Sequence, residues 1–576
     1  MAREKIPGFF HPGSKQPTLI LFNYIHYDGI GDFSHLLDIM EALMPLAATL
    51  GIKIVPLVIC LTERKQTVID KIAERCPGLT PFIFTADTRN PRELPALFEE
   101  FVGNTMKLQN RLRRALSIFQ IATATTKEQK DLLLQFCRPG IPVVNISEQC
   151  GLRTAAQFSP ISSIDERDRA IPNLKNINDR WMGLEKRTYC YGVKIKAPHS
   201  MSQADAIQTL ENTDFMRALL GHTDSQEVPS EETITEFLRN NQLIPAYLQS
   251  KISIIKFIFF CLEQPTLARQ GDITFYINNY DNLFTPTCNE WQPAEKVDAS
   301  GVRLPLIKIK QEDAKLPPFE SFLIAAPDYP KLKNLCFPNL KNLGFTSIEI
   351  NLNGNRRTIV LNSDEQTPKR TIRILTDFKL NDHDYDYLFH IANSVVGVSG
   401  DNTLEKALSH EKLPVLQSEN KYPFEVSMRV LGQLAHDYLP DVSAAVQEDL
   451  ERFFGRKNMR LDQPSHWSEL LAVDIPTLLT HWQRATPELR VKNNLYTHLD
   501  HIFYEALLHM SAATGDITLL HEIYEQFPDI DFTIPNKHGK TVEIIATENG
   551  HEGYLQELVH LAGVQSGKLM EMSKRQ

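Results

Sequence analysis

Val395-Val-Gly-Val-Ser-Gly-Asp-Asn-Thr-Leu-Glu-Lys-Ala-Leu-Ser-His-Glu-Lys-Leu-Pro-Val415 reads as a buried strand, a tight polar turn, a helix that opens with a carboxylate, and a second strand. The turn Ser399-Gly400-Asp401-Asn402-Thr403 sets small, hydrogen-bonding residues at a helix N-terminus. There, unpaired backbone N–H groups and the positive end of the helix dipole favour a phosphate. Glu405 lies one helical step inside, where a carboxylate reaches both hydroxyls of a ribose, and Lys412-Leu413-Pro414-Val415 restarts the sheet. A sugar-nucleotide site is the expectation. Asp401 and Thr403 also fit plain helix caps, a role worth about 1 kcal/mol, so the rest of the chain has to support it.

Upstream, Asp382 to Ser394 reads as a helix leading into the Val395 strand. Before it, Asp272–Ile277, Phe322–Ala326, Ser347–Asn351, Arg357–Leu361 and Thr371–Leu375 have strand character. Ser202 to Leu243 is polar, acidic and helical, with Ser230-Glu-Glu opening one helix by an N-cap signal. Ile252 to Leu262 is the longest strongly apolar run; it is half the roughly 20 residues of a membrane helix and contains Lys256. It reads as a core helix or strand, and no membrane span is expected.

The N-terminal part shows the same alternation. Thr18–Tyr24 is a strand, followed by Ile25-His-Tyr-Asp-Gly-Ile-Gly-Asp32 and an amphipathic helix from about Phe33 to Leu50. Its face carries Leu36, Leu37, Met40, Leu43 and Leu46. Strands at Lys53–Cys60, Thr80–Phe84, Ser117–Ala122 and Pro142–Ile146 then alternate with helices, which implies a parallel sheet wound on both faces. Ligands in such sheets sit at the carboxyl ends of the strands. Asp28, Gly29, Gly31, Asp32 and Glu148, the last in the turn Ser147–Gly151, fall there. Asp32 suits either a catalytic base or the N-cap of the next helix, whereas His26 and His35 read as structural.

A chain of 576 residues exceeds one core and suggests about three or four domains. With 71 acidic against 61 basic residues and a net charge of −10, it lacks the basic surface of a nucleic-acid binder. The first ten residues have no apolar segment of a cleaved signal peptide. The eight cysteines are scattered with no C-x-x-C pair, so reduced thiols and no zinc module are expected.

At the carboxyl end, Leu508–Asp516, Asp529–Phe532, Asn536–Thr541 and Ile545–His551 resemble ankyrin repeats, with Gly515 and Gly550 spaced close to the ~33-residue period. The expected division is 1–185, a Rossmann-like acceptor-side domain; 186–435, a Rossmann-like nucleotide-sugar domain with a helical insertion near 200–265; 436–500, a helical connector; and 501–576, ankyrin-like repeats packed on that connector.

The segment Gly397–Glu405 with Ala407-Leu-Ser and Lys412-Leu-Pro resembles the donor-binding segment of GT-B type glycosyltransferases, and Gly29-Ile-Gly-Asp32 resembles the first loop of their inverting members. The fold class is then α/β, two doubly wound Rossmann-like domains followed by an α-helical region with ankyrin-like repeats. The resemblance implies a nucleotide-sugar donor held by Gly29, Gly31, Ser399, Gly400, Asp401, Asn402, Thr403, Glu405 and Lys421. Asp32 is the implied base, with Asp28 and Glu148 as substitutes, and Lys421 or Arg373 is the cation on the departing diphosphate. A clear E-x7-E element of the retaining enzymes is not made out, so the resemblance implies the inverting course. No metal or other cofactor is called for, since Asp382-His-Asp384 and Asp384-Tyr-Asp386 fall inside a helix, where they are expected to face solvent. The acceptor could be a protein, and the ankyrin-like repeats imply a protein partner. This architecture also resembles effectors that intracellular bacteria deliver into host cells, against a plain cytoplasmic enzyme. Two alternatives stand: a non-catalytic interaction protein, and another nucleotide-binding enzyme such as an epimerase.

Overall fold

The computed structural model describes residues 16–25, 30–86, 94–121, 132–137, 141–146, 193–221, 229–248, 251–268, 271–277, 296–297, 303–304, 340–352, 355–361, 370–376, 378, 380–416, 422–455, 467–535 and 540–573. They form two compact units, 1–194 with 493–576, and 195–492.

In the first unit, β1 (Thr18–Tyr24), β2 (Lys53–Cys60), β3 (Phe82–Thr85), β4 (Ala115–Ile121) and β5 (Val143–Ile146) form a parallel sheet in the order β3-β2-β1-β4-β5. All seven residues of β1 are buried, because the strand alternates between two covered faces. Leu19 and Leu21 enter one core with Leu36, Leu37, Met40 and Leu43 of α1 (Ile30–Leu50). Ile20, Phe22 and Tyr24 enter another with Phe98 of α3 (Leu94–Asn104) and Leu108 of α4 (Met106–Leu112); α2 (Lys65–Arg75) follows β2. Residues 33–50 of α1 are apolar and long enough to cross a membrane by length and composition, and half of that stretch is buried. The described thiols Cys60, Cys76, Cys137 and Cys261 are free; burial pushes Cys60 and Cys76 up to about 11.

The second unit begins with three helices, α5 (Gln203–Gln208), α6 (Thr213–Leu220) and α7 (Glu231–Asn240). Ser230 caps α7 by accepting from the Thr233 amide, as its sequence implied. The sheet holds β6 (Asn241–Ala246), β7 (Asp272–Ile277), β8 (Ser347–Leu352), β9 (Asn355–Val360), β10 (Thr371–Thr376), β11 (Val395–Val398) and β12 (Leu413–Leu416), in the order β9-β8-β10-β7-β6-β11-β12. Only the edge strand β9 is antiparallel. The run at 252–262 is a core helix, α8 (Lys251–Glu263), with Phe257, Ile258 and Phe260 fully buried. Further helices are α9 (Asp382–Ile391), α10 (Asp401–Ser409), α11 (Tyr422–Tyr438), α12 (Ala444–Phe454) and α13 (Ile475–Lys492). The strand expected at 322–326 lies outside the described residues.

The last helices, α14 (Leu495–Thr514), α15 (Ile517–Gln526), α16 (Val542–Glu548) and α17 (Glu552–Ser573), return to the first unit. Leu499, Phe503 and Leu507 complete the core around Leu19, Leu21 and Phe119, with the Phe119 and Phe503 rings 6.3 Å apart. The stretch expected as a connector at 436–500 is therefore divided. Its helices up to Lys492 join the second unit, where His481 Nε2 lies 3.0 Å from the Ala435 carbonyl. The helices from Leu495 onward cover the face of the β1–β5 sheet that also carries α1. Gly515 and Gly550 both take the left-handed conformation that ends a helix with little strain only for glycine.

Candidate functional site

In the second unit the chain runs from β6 outward to β7 and β10, then returns to place β11 on the other side of β6. That reversal is where open α/β sheets open a crevice beyond the carboxyl ends of their strands. Two features build it. At Gly397 a Cβ would lie 2.8 Å from Ala246 Cβ, so glycine is what lets β11 approach β6. Just beyond, the Tyr247 amide donates to the Gly397 carbonyl at 2.9 Å, which lays the two post-strand turns side by side.

The turn at Ser399 and Gly400 then enters α10. Gly400 is the N-cap, in extended backbone at φ −143°, and supplies no side-chain hydrogen bond to the first turn. Its carbonyl accepts from the Leu404 amide at 3.0 Å. Neither Asp401 nor Thr403 occupies the cap position, so the plain-cap alternative does not describe this turn. Ser399 and Thr403 are buried, and Asn402 is half-buried. Glu405 is buried in the helix, with its Oε1 3.6 Å from Lys196 Nζ.

Asp28, Gly29, Glu148 and Lys421 lie outside the described residues. Gly31 and Asp32 fall inside the first turn of α1, which starts at Ile30 rather than Phe33. The strand that precedes them, β1, lies between β2 and β4, where the order of the first sheet reverses. His35 is buried, and burial lowers it to about 3, so it stays neutral near pH 7, in keeping with a structural role.

Two expectations require correction. Arg373 was a candidate cation for the diphosphate, but it sits near the amino end of β10. There its Nη2 is 3.1 Å from Asp272 Oδ2 and its Nε donates to Glu349 Oε2 at 3.1 Å. Held by two carboxylates at the end of the sheet away from the crevice, it is committed to structure. Of the acidic residues of α9, Asp382 is exposed as expected, but Asp384 is buried and Asp386 half-buried. Asp384 is fully buried and accepts from the Glu211 and Asn212 amides at 2.8 Å each.

Asp386, two residues on, anchors a cluster that sequence reasoning missed. His199 Nε2 lies 2.6 Å from its Oδ2; Lys406 Nζ at 2.7 Å and His410 Nε2 at 3.3 Å approach Oδ1. Burial raises the Asp386 carboxyl, but the His410 ring and the Lys406 ammonium outweigh it and hold the group well below the usual carboxylate range. Burial lowers both His410 and His390, so both rings are neutral near pH 7. The sequence signal was faint: His199 and Asp386 are 187 residues apart.

Lys412, just before β12, is buried, and burial lowers it to about 8 against the pull of Glu411. Because the folded pKa lies below the unfolded value near 10.4, the unfolded chain binds the extra proton between these two values. Stability therefore rises with pH across that window, by up to about 3 kcal/mol from this group. Lys412→Met is expected to raise the urea midpoint at pH 7, with the gain shrinking above pH 8. An unchanged difference between pH 7 and the alkaline end would contradict it.

No protein-family model matches the sequence, and no curated protein matches it. The solved structures to which the chain is similar include the following three. The Candida albicans trehalose-6-phosphate phosphatase N-terminal domain has 8% identity over 85% of this chain and 96% of that one, with a TM-score of 0.36. TcCGT1 in complex with UDP has 11% identity over 82% and 100%, at 0.31. Arabidopsis thaliana UGT89C1 has 10% identity over 86% and 100%, at 0.33.

Proposed function

We propose that this protein transfers a sugar from a nucleotide-sugar donor, with the β11–α10 turn as the donor diphosphate site. The observation that carries the reading is the position of that turn. It leaves the strand at which the sheet order reverses, beside Tyr247, and its N-cap is a glycine with no side chain to occupy the first-turn amides. Such amides, reinforced by the helix dipole, suit a diphosphate. Glu405 is assigned to the ribose hydroxyls, and Ser399, Asn402 and Thr403 supply polar atoms around the turn.

In the reaction assigned here, an acceptor oxygen attacks the anomeric carbon as the bond to the diphosphate breaks, with inversion. Asp32 takes the acceptor proton, with Asp28 and Glu148 as the next candidates; a positioned base contributes typically about 10²–10⁴-fold. The α10 amides receive the charge that develops on the leaving diphosphate.

The test is incubation of the full chain with UDP-, GDP- and dTDP-sugars, reading release of nucleoside diphosphate. One donor is expected to be turned over. Glu405→Ala should weaken its use at least about tenfold, since hydrogen bonds to a charged group are worth about 1.5–3 kcal/mol. Asp32→Ala should lower the rate with donor affinity kept. Turnover of no donor, or equal turnover by Glu405→Ala, would refute the proposal.

A further inference from the structure

We infer that His199, Asp386 and His410 form a binding site for a divalent transition-metal ion of the zinc type, separate from the turn at Gly400. Three chain segments converge there: the stretch before α5, the middle of α9, and the residue that ends α10. One ligand atom from each lies within 4.8 Å of the others. Two imidazole nitrogens and one carboxylate oxygen form a donor set that zinc favours. With metal–ligand bonds of 2.0–2.1 Å, tetrahedral donors stand about 3.3 Å apart. The His410 Nε2 to Asp386 Oδ1 separation is already 3.3 Å, and His199, at 2.6 Å from Oδ2, has to draw back.

The ligands are also in a suitable state. The His410 side chain is 2% exposed, its Nε2 faces Asp386 Oδ1 at 3.3 Å, and its Nδ1 has no hydrogen-bond partner. A buried imidazole with so few partners is unusual, and a metal ion held between Nε2 and the carboxylate supplies a further one. The His199 and Asp386 side chains are 32% and 29% exposed, which leaves an entry path and a position for water as a further ligand. Ring orientation is supported from outside the ligand set. Tyr387 meets His199 edge-on at 4.9 Å, and His390, with its Nε2 3.1 Å from the Met201 carbonyl, packs against both ligand rings. His410 follows the carbonyl end of α10, where a cation is favoured.

A nine-residue helix rises about 13 Å, so this centre lies one helix length from the diphosphate turn and would act as a clamp rather than in the transfer. Lys406 now supplies the positive charge at Asp386 Oδ1, at 2.7 Å, and so competes with the ion.

That competition gives the test. The full chain, stripped with a chelator, is titrated with zinc chloride by calorimetry, with cobalt(II) absorption as a second readout. One zinc per chain is expected, with a rise in melting temperature and the visible bands of nitrogen-ligated cobalt. His199→Ala, at a half-exposed position, should weaken zinc at least about tenfold, whereas Lys406→Gln should tighten it. Absence of saturable zinc uptake, or His199→Ala binding as tightly as the parent, would overturn the site. Lys406→Gln losing stability without gaining affinity would reduce the cluster to an ion-pair network and overturn it equally.

Discussion

Asp384→Ala should be among the most destabilising single changes in the second unit, with a loss of about 3 kcal/mol or more in unfolding free energy. The carboxylate is fully buried and accepts from two successive amides, Glu211 and Asn212, at 2.8 Å each. Those amides belong to the turn that enters α6, whose N-cap is Asn212. Alanine leaves both part-buried amides without that acceptor, and an unpaired donor shut off from water costs about 1–3 kcal/mol. The carboxylate also lies at the positive end of α6, a further favourable term that alanine removes. Asp384→Asn keeps one acceptor oxygen and turns an amino group toward the other amide, so about half of the loss is expected. Urea midpoints at constant slope check both; a shift in Asp384→Ala worth less than about 0.5 kcal/mol, the range of ordinary surface changes, would contradict the account.

Gly397→Val should disable the crevice as well as weaken the fold. The nearest neighbours of a Cβ at this position are Ala246 Cβ at 2.8 Å, Ala246 Cα at 3.2 Å and Leu248 Cδ1 at 3.4 Å. Two of these belong to the backbone end of β6 and have no flexible arm to withdraw. Overpacking of this kind costs typically about 1–3 kcal/mol, and valine, with two further methyl groups, should reach the upper end. Strand separation would also break the hydrogen bond from the Tyr247 amide to the Gly397 carbonyl, pulling apart the two turns that form the crevice. Nucleotide binding should then fall by more than the loss of folded protein explains. Ala246→Gly in the same chain is expected to restore part of the stability. If Gly397→Val melts and binds like the parent, the close approach of β11 to β6 has no role in the site.

Much of the architecture could be read from the sequence because its strands are buried on both faces and therefore run as unbroken apolar stretches. Thr18–Tyr24 and Asp272–Ile277 were bounded to the residue, and the strand–turn–helix at Val395 begins and ends where its glycines and polar residues imply. β6 was missed for a local reason. α7 ends at Asn240 and the strand starts at Asn241 with no intervening glycine or proline, so Gln242-Leu-Ile looked like the tail of a helix. The hairpin edge at β9 reads like its parallel neighbours, since pairing direction leaves no mark on so short a strand.

The remaining differences depend on contacts that link distant segments. That Asp384 and Asp386 turn inward rather than to solvent follows from amides at 211–212 and rings at 199 and 410, none of which is near in sequence. The return of α14 to the first unit depends on Phe503 finding Phe119 across about two thirds of the chain. Helical periodicity reports which residues of a helix are apolar, but leaves open which core receives them.

Calorimetric titration of the full chain with UDP, GDP and dTDP, repeated with Glu405→Ala and Gly400→Val, tests the diphosphate site most directly. At least one nucleoside diphosphate should bind, the free nucleoside should bind far more weakly, and both substitutions should reduce the affinity at least about tenfold. Should none of the three bind, or should a valine at the N-cap of α10 leave affinity untouched, the turn at Ser399–Thr403 is an ordinary strand-to-helix connection and the transferase assignment falls with it.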